Sequence, residues 1–185
     1  QHMARQARFE RGVWELWLSI PKPFVAALHG YTFGSGMEMA LLCDLRVAST
    51  DAVFGLPEAG LGMIPAAGGT QTFPRQAGLS AGLEALLTAR RYTAAEALRL
   101  GLVHNVVPRE RLLATAQERA RQLTHLDPQV VGLAKRALLE GADLPLPQAL
   151  ELEMRLAAQA FSVRGTTNRG SDRGSKTRAT GRGQA

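Results

Sequence analysis

A five-residue apolar run, Phe24-Val25-Ala26-Ala27-Leu28, leads into three closely spaced glycines, Gly30, Gly34 and Gly36, and then into a second apolar stretch that ends at Cys43. This order constrains the fold more than any other feature of the chain. The first run is short and bounded by turn formers, so it reads as a buried strand. A helix begins within the glycine stretch and runs to about Cys43. Leu45 to Ala48 and Ala52 to Phe54 read as two more short strands, turning at Ser49-Thr50-Asp51. Short buried strands alternating with helices define an α/β architecture.

The flanking segments extend that pattern. Phe9, Val13, Trp14, Trp17 and Leu18 recur at helical spacing and predict an amphipathic helix near residues 4–19, ended by Pro21 and Pro23. Residues 55–69 hold Gly55, Pro57, Gly60, Gly62, Pro65, Gly68 and Gly69, a structured loop of the kind that carries function. Helices are predicted over 70–77 and 80–87. Thr93-Ala94-Ala95-Glu96 has the form of a capping box, opening a helix that stops at Gly101. Leu102 to Val107 reads as a strand ended by Pro108. Helices follow over 109–124, 129–140 (entered through Asp127-Pro128) and 147–161, the last with Leu150, Met154, Ala157 and Phe161 on one stripe.

The 185 residues are 45% hydrophobic and 21% charged, which is ordinary globular composition and enough chain for a real core. The net charge of +6 suggests nucleic acid at first sight, but its distribution does not. From Phe161 onward six basic residues meet one acid, a net +5, whereas the preceding 160 residues hold 16 basic and 15 acidic residues, a net +1. After Phe161 the apolar periodicity stops, and the segment lacks the apolar surface to offset an ordering entropy of about 1–2 kcal/mol per residue. The expected organisation is a domain over 4–161 and a basic, disordered tail over 162–185, with 1–3 set aside as a tag remnant. The tail has no aromatic residue to stack on bases, so RNA binding through it is the weaker reading. No apolar run approaches the ~18–20 residues that span a bilayer. Cys43 is the only cysteine and reads as a small buried hydrophobe. With no export leader and no possible internal disulfide, a cytoplasmic setting is expected.

Two segments carry candidate chemistry. In Gly34-Ser35-Gly36-Met37-Glu38 a small-residue turn enters a helix, so unpaired backbone N–H groups face outward at its positive end. Such groups can hold a carbonyl oxygen as it gains negative charge; a glutamate there is otherwise explained by favourable dipole electrostatics. Phe54-Gly55-Leu56-Pro57-Glu58 places a second acid just after a strand, where a solvated loop glutamate is the plainer reading. His29 and His104 read as packing or solvated residues, and Asp44 as a structural acceptor for backbone N–H groups after the helix. Gly68-Gly69-Thr70 lacks the lysine of a nucleotide phosphate loop. No His/Cys/Asp cluster has metal-ligand spacing.

Taken together, these segments resemble the enoyl-CoA hydratase/isomerase (crotonase) family. The resemblance is carried by Pro21 to Gly36, Glu38, Cys43-Asp44, Phe54-Gly55-x-Pro57-Glu58, Gly62, Pro65, Gly68-Gly69-Thr70-Gln71, Ala94-x-Glu96-Ala97 and Gly101-Leu102-Val103. It covers roughly residues 10–160. It implies a crotonase-like α/β fold, a β-β-α spiral followed by helices, assembled as trimers or hexamers. Glu38 and Glu58 match the two catalytic glutamates of the hydratases. Ser35 N–H, presented after Gly34, matches an oxyanion-hole donor. The implied activity is hydration of a 2-enoyl-CoA thioester, with CoA entering as part of the substrate and no metal or redox cofactor. Arg90-Arg91 reads as a solvated pair, with contact to CoA phosphates as the alternative.

The sequence departs from the family pattern in three places. The family's N-terminal third, with its first strands and other oxyanion donor, has no counterpart, and a lost donor is expected to slow such chemistry about 10²–10³-fold. Ser35 stands where glycine is usual. The Arg/Gly/Ser/Thr ending is unlike the family's and suggests a shifted reading frame or replaced terminus. The rival readings are therefore an inactive family remnant serving assembly or acyl-CoA binding, and an enoyl-CoA isomerase.

Overall fold

The computed structural model describes residue 12 and residues 15–171, in two units, 1–126 and 127–185. Of the predicted first helix, residue 12 and residues 15–19 are helical and the chain leaves the helix before Pro21; the rest of that prediction lies outside the described residues, as do residues 172–185.

The first unit is built from turns of a spiral. Strand β1 (Val25–Leu28), strand β2 (Tyr31–Phe33) and helix α1 (Ser35–Leu42) make one turn. Strand β3 (Leu45–Ser49), strand β4 (Val53–Gly55), a 3-10 turn over Pro57–Leu61 and helix α2 (Gly69–Ala77) make the next. The turns stack strand on strand in parallel: Val25 pairs with Leu45, and Tyr31 with Val53. Each turn thus gives one strand to each of two sheets. Helix α3 (Leu79–Thr88), strand β5 (Arg91–Thr93), helix α4 (Ala94–Arg99), strand β6 (Asn105–Val107), a 3-10 turn over Arg109–Arg111 and helix α5 (Leu112–Thr124) complete the unit. The sheet orders are β1-β3-β6 and β2-β4-β5, with β5 antiparallel to β4.

The core lies under these sheets and helices. Met37, Leu41, Phe54, Leu56, Phe73, Tyr92 and Leu102 are buried together, and the Phe73 and Tyr92 rings pack with centroids 5.9 Å apart. Burying such side chains contributes about 1.5–3 kcal/mol each. Arg46 is buried with its charge held by oxygen acceptors. Its guanidinium donates to Leu102 O at 2.6 Å, to Cys43 O and to Gln76 Oε1 at 3.2 Å. The Thr93–Glu96 capping box forms in both directions. Asp44 Oδ2 accepts the Phe24 N–H at 2.7 Å, a structural role as expected, but toward the segment entering β1 rather than toward N–H groups after the helix.

The second unit contains helix α6 (Pro128–Gly141) and helix α7 (Leu146–Ser171), which pack on each other. Asp127 caps α6 by accepting the Gln129 and Val130 N–H groups at 2.8 and 3.3 Å. None of the helices among the described residues is long and apolar enough to cross a membrane.

Several expectations need correction. Sequence periodicity does not reveal β2 and β5, because three residues between turn formers are too few to show alternation. The strand predicted over Leu102–Val107 is only Asn105–Val107; Leu102 and Val103 are buried without pairing, since an apolar run reports burial rather than strand. Residues 109–111 form a 3-10 turn ahead of α5. Cys43 is half-buried rather than buried. Helix α7 runs ten residues past Phe161, into the segment expected to be disordered. An established helix extends at one new hydrogen bond per residue fixed, which the lack of apolar periodicity does not prevent. The expected stripe on α7 is also displaced. Leu152 and Leu156 are buried, while Leu150, Met154, Ala157 and Phe161 are exposed. Apolar residues at 150, 152, 154 and 156 leave both faces of the helix apolar, so periodicity alone did not choose between them.

Candidate active site

The site grows from the junction of β2 and α1. Phe33 pairs with Gly55, so the end of β2 is held beside the end of β4. Gly34 follows, donates its N–H to Gly55 O at 3.1 Å and takes φ of 54°. That conformation favours glycine. A side chain there would also crowd the site: a Cβ at 34 would stand 3.1 Å from Glu58 Oε1. The first i to i−4 bond of α1 runs from Glu38 N–H to Gly34 O at 3.0 Å. Helix geometry therefore gives the N–H groups of Ser35, Gly36 and Met37 no acceptor within the helix. Ser35 is exposed at the first helical position and its φ is not positive. The strained residue of the turn is Gly34, so serine at 35 fits the backbone without strain.

Glu38 lies one turn further along α1 and is 2% exposed, which is rare for a carboxylate unless its oxygens are bonded. Its Oε1 accepts the Ala67 N–H at 3.0 Å and the Gly69 N–H at 2.7 Å. Gly68 has φ of 110° and is the N-cap of α2; it turns the loop so that the Gly69 N–H meets this oxygen. These two donors were not assigned from sequence. The signal was present in Gly68-Gly69, since close approach of backbone to a carboxylate leaves no room for Cβ.

Glu58 enters from the 3-10 turn over Pro57–Leu61, where Pro57 sets the first position. Its Oε2 is buried with no hydrogen-bond partner among the described residues. Burial pushes its carboxyl above the ordinary range, and the nearby Glu38 charge pushes in the same direction. The fold thus brings together four residues singled out in the sequence: Gly34, Ser35, Glu38 and Glu58. One carboxylate is fixed by backbone donors, and the other is partly desolvated with an unmatched oxygen. The exposed N–H groups of a helix start lie beside them. Such a set can hold a developing oxyanion, accept one proton and supply another.

The remaining candidates lie elsewhere. His29 is exposed at the end of β1. His104 Nδ1 accepts the Arg46 N–H at 3.0 Å. Arg90 is tied to Glu84 and Glu96 at 2.6 and 2.7 Å, a structural clasp rather than a free solvated cation. The Arg91 guanidinium lies 5.3 Å from the Phe33 ring centroid.

Sequence and fold comparisons agree on the family to which this layered β-β-α spiral belongs. The family model described as enoyl-CoA hydratase/isomerase matches residues 1–173. The chain is 40% identical over 144 residues to the short-chain-enoyl-CoA hydratase of Clostridium acetobutylicum, covering 78% of this chain and 55% of that protein. It is 39% identical over 151 residues to the crotonyl-CoA hydratase of Syntrophomonas wolfei, covering 82% and 56%. The crystal structure of enoyl-CoA hydratase from Bacillus anthracis superposes with a TM-score of 0.84 at 36% identity, over 88% of this chain and 63% of that one. The chain belongs to the enoyl-CoA hydratase/isomerase family, and its fold is the crotonase-like one the resemblance implied. It spans about half the length of the curated relatives it matches.

Proposed function

We propose that the chain carries the glutamate pair of an enoyl-CoA hydratase, which adds water across the 2,3 double bond of an enoyl-CoA thioester. The observation that carries this reading is the unequal setting of two neighbouring carboxyl groups. Glu38 Oε1 is occupied by the Ala67 and Gly69 N–H groups, which leaves Oε2 to accept a proton from water. Glu58, raised above the usual carboxylate range, is the group suited to carry a proton at the start. In the proposed step the water oxygen bonds to the β-carbon as its proton passes to Glu38. Glu58 delivers its proton to the α-carbon. The thioester oxygen gains charge meanwhile, and Ser35 N–H is proposed as one of its donors. Such a donor contributes about 3–4 kcal/mol in comparable acyl chemistry.

In this reading CoA arrives as part of the substrate, and the chemistry calls for no metal or redox cofactor. A cytoplasmic setting accords with the single cysteine. Assembly as a trimer or hexamer is supported by the exposed apolar face of α7, with Leu150, Met154 and Phe161.

Presence of both glutamates favours hydration over double-bond migration. The test is to incubate the chain separately with a 2-enoyl-CoA and a 3-enoyl-CoA and to separate the products. Formation of 3-hydroxyacyl-CoA from the 2-enoyl substrate is expected. Conversion of the 3-enoyl substrate to the 2-enoyl isomer without any hydroxyacyl product would assign the chain to isomerisation. Acyl-CoA binding with neither product would assign it to the non-catalytic reading.

A further inference from the structure

A cavity lies between β3, the start of β6 and α5, and shares no residue with the carboxylate pair. It has a volume of about 170 Å³ and is lined by Leu45, Arg46, Val47, His104, Asn105 and Arg119. None of the six is acidic. Arg119 is half-buried, forms no ion pair among the described residues, and donates only to the neutral Gln122 Oε1 at 3.4 Å. A half-buried guanidinium without a carboxylate partner leaves charge and donors to spare.

His104 is pre-set as a donor by the strand beside it. The Arg46 N–H donates to His104 Nδ1 at 3.0 Å, and the His104 N–H donates back to Arg46 O at 2.8 Å. An Nδ1 that accepts leaves the neutral ring's proton on Nε2, the only other polar atom of a ring that lines the cavity. The charged groups facing the ring are Arg46 from β3 and Arg119 from α5, both cationic. Asn105 adds an amide, and Leu45 and Val47 supply apolar wall. A guanidinium, an N–H donor and an amide around a small half-open cleft form an oxyanion-binding environment.

We propose that this cavity is a binding site for a small free oxyanion of phosphate size, held chiefly by Arg119 and His104. The cavity has room for several water-sized groups, which suits an ion of phosphate size. Binding there would strengthen the junction of β3 with β6, because the ring that meets the ion also accepts the Arg46 N–H.

The test is thermal unfolding of the full chain in sodium phosphate against sodium chloride at matched ionic strength, for the wild type, Arg119→Gln and Arg119→Lys. The wild type is expected to gain roughly 3–6 °C at a phosphate concentration about ten times the dissociation constant, with saturation. Arg119→Gln is expected to melt as a folded protein in chloride and to lose the phosphate gain, and Arg119→Lys to keep part of it. Nuclear magnetic resonance of the imidazole should show the His104 titration midpoint rising with phosphate in the wild type only. Adenosine monophosphate is expected to give no Arg119-dependent rise. Equal responses of wild type and Arg119→Gln, a wild-type response without saturation, or an Arg119-dependent rise with adenosine monophosphate equal to that with phosphate would each overturn the proposal.

Discussion

Gly69 meets Glu38 so closely that a Cβ at 69 would stand 3.0 Å from Glu38 Oε1 and 3.0 Å from Pro65 Cβ. Its N–H donates to that same oxygen at 2.7 Å. Backbone and carboxylate are therefore fitted to one another, and a methyl group there would make a neighbour give by a few tenths of an ångström. Gly69→Ala is predicted to displace the Glu38 carboxylate and to lower stability by about 1–3 kcal/mol through overpacking. A misplacement near 1 Å costs about 100-fold in rate, and the shift needed here is a few tenths of an ångström, so the turnover number should fall by well under that factor while KM changes little. Chemical denaturation and steady-state kinetics check the two parts separately.

Glu58 gives a prediction in stability rather than rate. Its folded carboxyl is raised above the ordinary 4.5 by burial and by Glu38. A raised carboxyl binds more protons folded than unfolded, so its ionisation opposes folding. The penalty is absent below about pH 4.5, grows as pH rises through that value, and is complete above the raised folded value. Glu58→Gln removes it. The variant's stability relative to wild type should therefore increase between about pH 4 and pH 7. Wild type gaining on the variant over that range would contradict the assigned environment.

His104 works in the opposite direction. Burial, Arg46 and Arg119 hold its imidazole below the usual 6.5. The unfolded chain then binds the extra proton, so the stability from neutral His104 is complete above about pH 6.5 and is lost as pH falls toward the lowered folded value. His104→Ala should cost about 0.5–1.5 kcal/mol at pH 8, where the Arg46 N–H loses its acceptor. The gap between variant and wild type should narrow as pH falls below 6.5. Urea denaturation as a function of pH measures both.

The Thr93–Glu96 box predicts a local effect. Thr93 Oγ1 accepts the Glu96 N–H at 3.3 Å, and Glu96 Oε2 accepts the Thr93 N–H at 2.9 Å. Thr93→Ala should cost about 0.5–2 kcal/mol with little change in activity, since the box lies away from Glu38 and Glu58. A large loss of turnover at unchanged stability would mean that this helix start has a role beyond capping.

Much of this architecture is legible in the sequence, for reasons that differ from part to part. The box at Thr93, the Asp127 cap and the strand over Phe24–Leu28 were readable because each depends on neighbours in the chain. β2 and β5 were not, since three residues reveal a strand only when its partner is known. Glu38 and Glu58 could be singled out by motif. Their unequal environments could not, because the Ala67 and Gly69 donors reach Glu38 across about 30 residues of chain, a separation the hydrogen bonds show directly. Periodicity does not locate the buried stripe of α7 because apolar residues occur on both faces, and the choice between them is made by tertiary packing.

The most direct measurement is the rate of crotonyl-CoA hydration by the full chain beside Glu38→Gln and Glu58→Gln, each shown by circular dichroism to be folded. The proposed mechanism predicts hydration by the wild type and a loss of at least about 100-fold in either variant, since each carboxyl moves a proton in the same step. Wild-type hydration indistinguishable from that of both variants would contradict the assignment of Glu38 and Glu58 as the pair that adds water.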